Sequence, residues 1–116
     1  MLGLDDLRGF ATALPEVEET THFGLPTFKV RGRPFAGLEK SATHAIVAVD
    51  QAEAETLAAE DPVAYQQVFR SANGRIFVGL RVDLARVPPA RLRELVEHAW
   101  RHQAPRQLLA ADDQRG

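Results

Sequence analysis

At 116 residues, with 45% hydrophobic and 26% charged residues, the chain has the size and composition of one globular domain rather than a disordered segment. It contains no cysteine, which excludes disulfides and thiolate metal sites. The net charge of −2 is unlike the strongly basic balance of a dedicated nucleic-acid binder.

That total hides a segregated pattern. Residues 1–27 and 46–69 are acidic, the latter with Asp50, Glu53, Glu55, Glu60 and Asp61 and no base. Residues 28–45 are basic through Lys29, Arg31, Arg33 and Lys40, and residues 70–106 carry eight arginines. Twelve of the fourteen bases are arginine, whose planar fork suits phosphate and carboxylate. The N-terminus lacks the basic and apolar regions of a signal peptide, and no apolar run reaches membrane-spanning length, so a cytoplasmic location is expected.

In chain order, Leu4, Leu7, Phe10, Ala11 and Leu14 recur at helical spacing until Pro15. Glu16 to Gly24 reads as a polar loop. Alternation over Thr27–Arg31 predicts a strand with Phe28 and Val30 inward. Gly32 supplies a tight turn, and Phe35–Glu39 returns as a second strand. Thr43–Val49 reads as a third. Asp50 and Glu53 form a capping pattern that opens a short helix to about Ala59. Asn73-Gly74 predicts a hairpin between Tyr65–Ser71 and Arg75–Val82. Prolines 88 and 89 open a last helix with Leu92, Leu95, Val96, Ala99 and Trp100 as its buried stripe.

These elements predict an α+β domain over residues 1–106. A single antiparallel sheet of about five strands is flanked by N- and C-terminal helices, with the short helix between strands 3 and 4. Residues 107–116 read as a frayed tail.

With Asn73 and Gly74 as the two loop residues, Arg70 would lie opposite Phe77 and Val68 opposite Gly79. Ile76, Val78, Leu80 and Val82 would then face the core with Tyr65 and Phe69. The other face would present Gln66, Arg70, Arg75, Phe77 and Arg81, the composition of a surface that contacts phosphates and stacks bases. Lys29, Arg31 and Arg33 join this candidate nucleic-acid surface.

No nucleophile–base pair, phosphate-binding loop or dinucleotide fingerprint occurs, so no catalytic residue and no cofactor is assigned. His98 and His102 stand at helical i, i+4 spacing without the glutamate of a zinc-protease motif, and read as exposed histidines rather than metal ligands. His22 and Gly24 mark a loop that offers an alternative site for a small ligand or a protein partner.

Two stretches carry a family resemblance. Leu14-Pro15-Glu16-Val17-Glu18-Glu19 with His22-Phe23-Gly24-Leu25-Pro26-Thr27-Phe28-Lys29-Val30-Arg31-Gly32-Arg33-Pro34-Phe35-Ala36 resembles the N-terminal signature of the MmcQ/YjbR family. Val78–Asp83 and Leu95–Trp100 resemble its closing strand and helix, so the likeness spans roughly residues 4–105. The resemblance implies an antiparallel sheet flanked by helices, likened to a double-wing DNA-binding architecture. The leading expectation is thus a non-enzymatic domain that binds DNA weakly through the basic sheet face, as a monomer or a homodimer. A small-molecule or protein-interaction domain using the His22–Gly24 loop is the alternative.

Overall fold

The computed structural model describes residues 1–71 and 73–115. Among them, the chain runs α1 (Leu4–Thr12), β1 (Val17–His22), β2 (Leu25–Val30), β3 (Arg33–Leu38), β4 (His44–Val47), α2 (Gln51–Glu60), β5 (Tyr65–Ser71), β6 (Arg75–Asp83), α3 (Pro89–Gln103) and α4 (Arg106–Arg115). The strands form one sheet in the order β1-β2-β3-β4-β6-β5, and every neighbouring pair is antiparallel. The α+β class and the single antiparallel sheet are as the sequence predicts, with one strand more.

The added strand is β1, where a polar loop is expected. Its sequence, Val-Glu-Glu-Thr-Thr-His, has no apolar alternation, because an edge strand buries little of either face. Pairing with β2 holds it: Val17 lies opposite Val30 and His22 opposite Leu25, leaving Phe23 and Gly24 as a two-residue turn. Both turn residues have positive φ, 52° and 78°, as a type I′ hairpin requires. Arg31 and Gly32 repeat this geometry between β2 and β3, with φ of 51° and 81°.

One face of the sheet carries the core. Phe28, Val30, Ala45, Val47, Leu80 and Val82 are fully buried there beneath the helices. From α3, Leu92, Leu95, Val96, Ala99 and Trp100 are buried as predicted, against Leu7 and Ala11 of α1. The Trp100 indole N–H donates to the Pro15 carbonyl at 3.0 Å, which fixes the link that follows α1. Asp50 stands at the N-cap of α2, but its side chain makes no capping bond. Glu53 instead reaches α3, where its Oε2 lies 2.6 Å from His98 Nδ1. That contact, with Arg8 on Glu19, ties the helices to the same side of the sheet.

The C-terminal segment expected to fray forms α4, with Leu108 buried and Arg101 of α3 paired to Asp112 and Asp113. Residue 116 lies outside the described residues. No helix among the described residues is long and apolar enough to cross a membrane.

Candidate functional site

The second face of the sheet carries no helix among the described residues. A row of open-face side chains crosses all six strands through Thr20, Thr27, Gly37, Ile46, Arg81 and Gln66. Two bulges bend the sheet around this row. In β3 the register moves from Phe28↔Ala36 to Lys29↔Pro34, so Phe35 is the extra residue. In β6 it moves from Val68↔Gly79 to Phe69↔Phe77, so Val78 is the extra residue. A bulged strand bends and re-aims its side chains. Both bulges border a groove of about 480 Å³ that is lined from all six strands and, where the sheet meets α3, by Gln103.

The groove's floor is Thr27, Gly37 and Ile46. At one end stand His22 and Leu25 beside the β1–β2 turn; at the other, Arg70, Ile76 and Val78 of the projecting β5–β6 hairpin. The lining is mainly apolar, and Ile76 and Val78 remain 39% and 41% exposed. Phe23, next to His22, is 92% exposed, its ring edge-on to the imidazole at 4.5 Å. A large aromatic at positive φ on a bare turn is strained, and such strain clusters at functional sites.

Close backbone packing sets the floor. A Cβ on Gly37 would approach the Pro26 carbonyl oxygen to 3.2 Å, and one on Gly79 would approach the Val47 carbonyl oxygen to 2.8 Å. Gly79 is therefore glycine because β4 and β6 crowd there.

The hairpin bulge corrects the predicted arginine surface. Ser71 pairs with Arg75, one residue out from the predicted register, which Val78 restores. Val68 lies opposite Gly79 as predicted, but Arg70 lies opposite Ile76 rather than Phe77. Ile76 and Val78 consequently leave the core and line the groove, while Leu80 and Val82 stay buried. Phe77, which still borders the groove, and Arg75 turn toward the helix-bearing side with Phe69 and Ser71. There the Phe77 ring meets Phe69 edge-on at 5.8 Å, and the Arg75 guanidinium lies 3.9 Å from the Phe69 ring centre.

The remaining candidates divide by their partners. Arg81 donates from Nε to both Glu39 oxygens, at 2.8 and 2.9 Å, and from Nη1 to Gln66 at 2.8 Å. The Arg81 hydrogen bond holds the Glu39 carboxyl below the usual carboxylate range. Arg31 sits in the β2–β3 turn and forks onto Glu16 at 2.5 and 3.0 Å, which likewise lowers the Glu16 pKa. Arg33 reaches the Gln103 carbonyl at 3.5 Å, on the helix side. Lys29 and Arg70 share the open face, and neither has an ion-pair partner among the described residues. Two of the seven candidates thus remain as free cations on that face. His22 of the alternative site lines the groove, and Gly24 is its neighbouring turn residue.

One arrangement escapes the sequence because it joins distant strands. His44 Nδ1 lies 2.8 Å from Thr43 Oγ1, while His44 Nε2 lies 3.9 Å from Asp83 Oδ2 on β6. Order of hydroxyl, imidazole and carboxylate resembles a nucleophile triad. It lies outside the groove, Thr43 Oγ1 is also 2.8 Å from Ser41 Oγ, and Asp83 is occupied by the Ala85 N–H and by Arg86. Its evident work is to close the β3–β4 turn.

The sequence from residue 12 to residue 102 matches the family model described as YjbR. The chain belongs to the YjbR family. The fold of this YjbR domain is similar to the crystal structure of Deinococcus radiodurans protein DR2400, described by the family-model domain DUF419. The TM-score is 0.71 at 25% identity, covering 86% of this chain and 77% of that one. No curated protein matches the sequence.

Proposed function

We propose that this YjbR domain is a non-enzymatic binding module whose ligand lies in the open-face groove. The observation that carries this reading is the pairing of a mainly apolar floor with the free Arg70 guanidinium at one end and His22 at the other. A volume of about 480 Å³ falls within the roughly 300–1,000 Å³ of small-molecule sites. The groove's lining extends from His22 on β1 to Arg70 on β5, so it fits an elongated apolar molecule bearing one anionic group. Arg70 takes the anion in bidentate fashion, Leu25, Ile46, Ile76 and Val78 cover the apolar body, and the imidazole of His22 hydrogen-bonds the far end. Open sheet faces are otherwise covered or polar, and this one leaves apolar side chains exposed beside a free cation.

Decanoate, a straight-chain carboxylate, tests the reading by calorimetric titration. It binds the native chain, and Arg70→Ala weakens binding by about tenfold, the loss of one charge-assisted contact. Decanoate binding that is absent, or unchanged in Arg70→Ala, contradicts the proposal.

A second reading, weak nucleic-acid contact through the sheet face, keeps the support of Lys29 and Arg70, the free cations on that face. Their small number sets its limit, because affinity for phosphate backbones scales with the charges neutralised.

A further inference from the structure

The sheet ends in two edges of opposite character. Along β1, Glu18 and Glu19 stand in mid-strand, with Glu16 just before it, the kind of charge that keeps another strand away. β5 has no such guard. Its seven residues, Tyr-Gln-Gln-Val-Phe-Arg-Ser, hold one charge, no proline and no bulge of their own, since the extra residue at the irregularity belongs to β6. Among the described residues only β6 pairs with it. Gln67, on the helix-bearing side of this edge, also has a buried side-chain oxygen with no donor. Long, uncharged, unguarded edges template the addition of another strand.

The charges at the two ends of β5 select the partner and its direction. At the Tyr65 end, α2 finishes with Glu60, and the Tyr65 N–H donates to the Asp61 carbonyl at 3.0 Å, so two carboxylates flank the start of the strand. At the Ser71 end stands Arg75, directly opposite Ser71 and turned to the same side of the sheet. An antiparallel second copy brings the basic end of each strand to the acidic end of the other. A parallel one sets like on like.

We propose that β5 is a pairing edge for a second copy of this chain, joined antiparallel about Val68 into a continuous twelve-stranded sheet. In this register Val68 meets Val68, Gln67 meets Phe69, Gln66 meets Arg70 and Tyr65 meets Ser71. No like charges are opposed, and Arg75 of each copy faces Glu60 of the other. The interface is one strand wide, so the dimer is weak and reversible, at the low end of specific interfaces. The pairing runs through the backbone edge of β5, and the groove touches that strand through Arg70 on the open face.

Sedimentation velocity on the native chain, from about 10 µM to about 1 mM at low salt, tests it across the range of weak interfaces. The expected result is a monomer–dimer equilibrium that weakens with added salt. Val68→Lys, which sets two ammonium groups at the two-fold axis, abolishes it while leaving the circular dichroism spectrum unchanged. Glu60→Arg and Arg75→Glu each weaken association, and the two together restore it. This charge exchange stands even if Val68→Lys disturbs the strand. A chain that stays monomeric at the highest concentration, or a dimer indifferent to all of these substitutions, overturns the proposal.

Discussion

Arg81 on β6 grips Glu39 through both carboxylate oxygens, 2.8 and 2.9 Å from one Nε, across the open face of the sheet. The contact removes a cation from the surface that the sequence offers to phosphates, and it links the end of β3 to a strand two places away.

It also gives the fold an acid-sensitive element. The folded-state pKa of Glu39 is lowered, first by the Arg81 hydrogen bond, so its contribution is present above the unfolded value and lost as pH falls through the folded one. Thermal unfolding followed from pH 7 downwards should show Tm falling once pH drops below about 4.3, the ordinary glutamate value. In Glu39→Gln part of that fall is missing, and at pH 7 the variant is less stable by about 1 kcal/mol, the scale of a partly exposed charged hydrogen bond.

Two glycine substitutions should act in opposite directions. Gly79→Ala forces a methyl group to 2.8 Å from the Val47 carbonyl oxygen and costs about 1–3 kcal/mol in urea unfolding. Gly9→Ala, in the exposed middle of α1 with nothing within 4 Å, gains about 1 kcal/mol from helix propensity.

Phe77→Ala distinguishes a packed aromatic from a base-stacking one. Because its ring packs on Phe69, the variant loses stability by about 1–2 kcal/mol, the scale of a partly buried aromatic pair. Its affinity for single-stranded DNA at low salt should match that of the native chain. A loss of affinity without a loss of stability would return Phe77 to the binding surface.

Much of this molecule is legible in its residues, and the exceptions share a cause. Phe28 and Val30 and the α3 stripe follow from periodicity, because each buries a full face against the core. The helix after Asp50, which buries only Ala54 and Leu57, is marked instead by the Asp50 and Glu53 pattern at its start. β1 does not, since its order comes from hydrogen bonds to β2 rather than from its own side chains. Nor does α4, whose buried contact is Leu108. The site fails at one residue: strict alternation through β6 places Phe77 outward and Val78 inward, and the bulge at Val78 reverses both. His22 is marked by composition alone. That it shares a groove with Arg70 follows from pairings across six strands, which no local spacing records.

If nucleic acid is bound at all, its salt dependence reports how many cations are free. Lys29 and Arg70 together give a slope of log K against log salt no steeper than about −2 on duplex DNA. A slope of −3 or beyond would bring in further cations, either Arg31 and Arg81 released from Glu16 and Glu39 or bases off the open face such as Arg75.

The most direct test of the groove is to map decanoate on the backbone amides of isotope-labelled protein by two-dimensional nuclear magnetic resonance. Saturable shifts should concentrate on Thr27, Gly37, Ile46 and Arg70, leave α1 and α2 unmoved, and shrink in Arg70→Ala. Shifts that instead gather on the helix-bearing face, or none at saturating decanoate, would contradict the assignment of the open face as the binding surface.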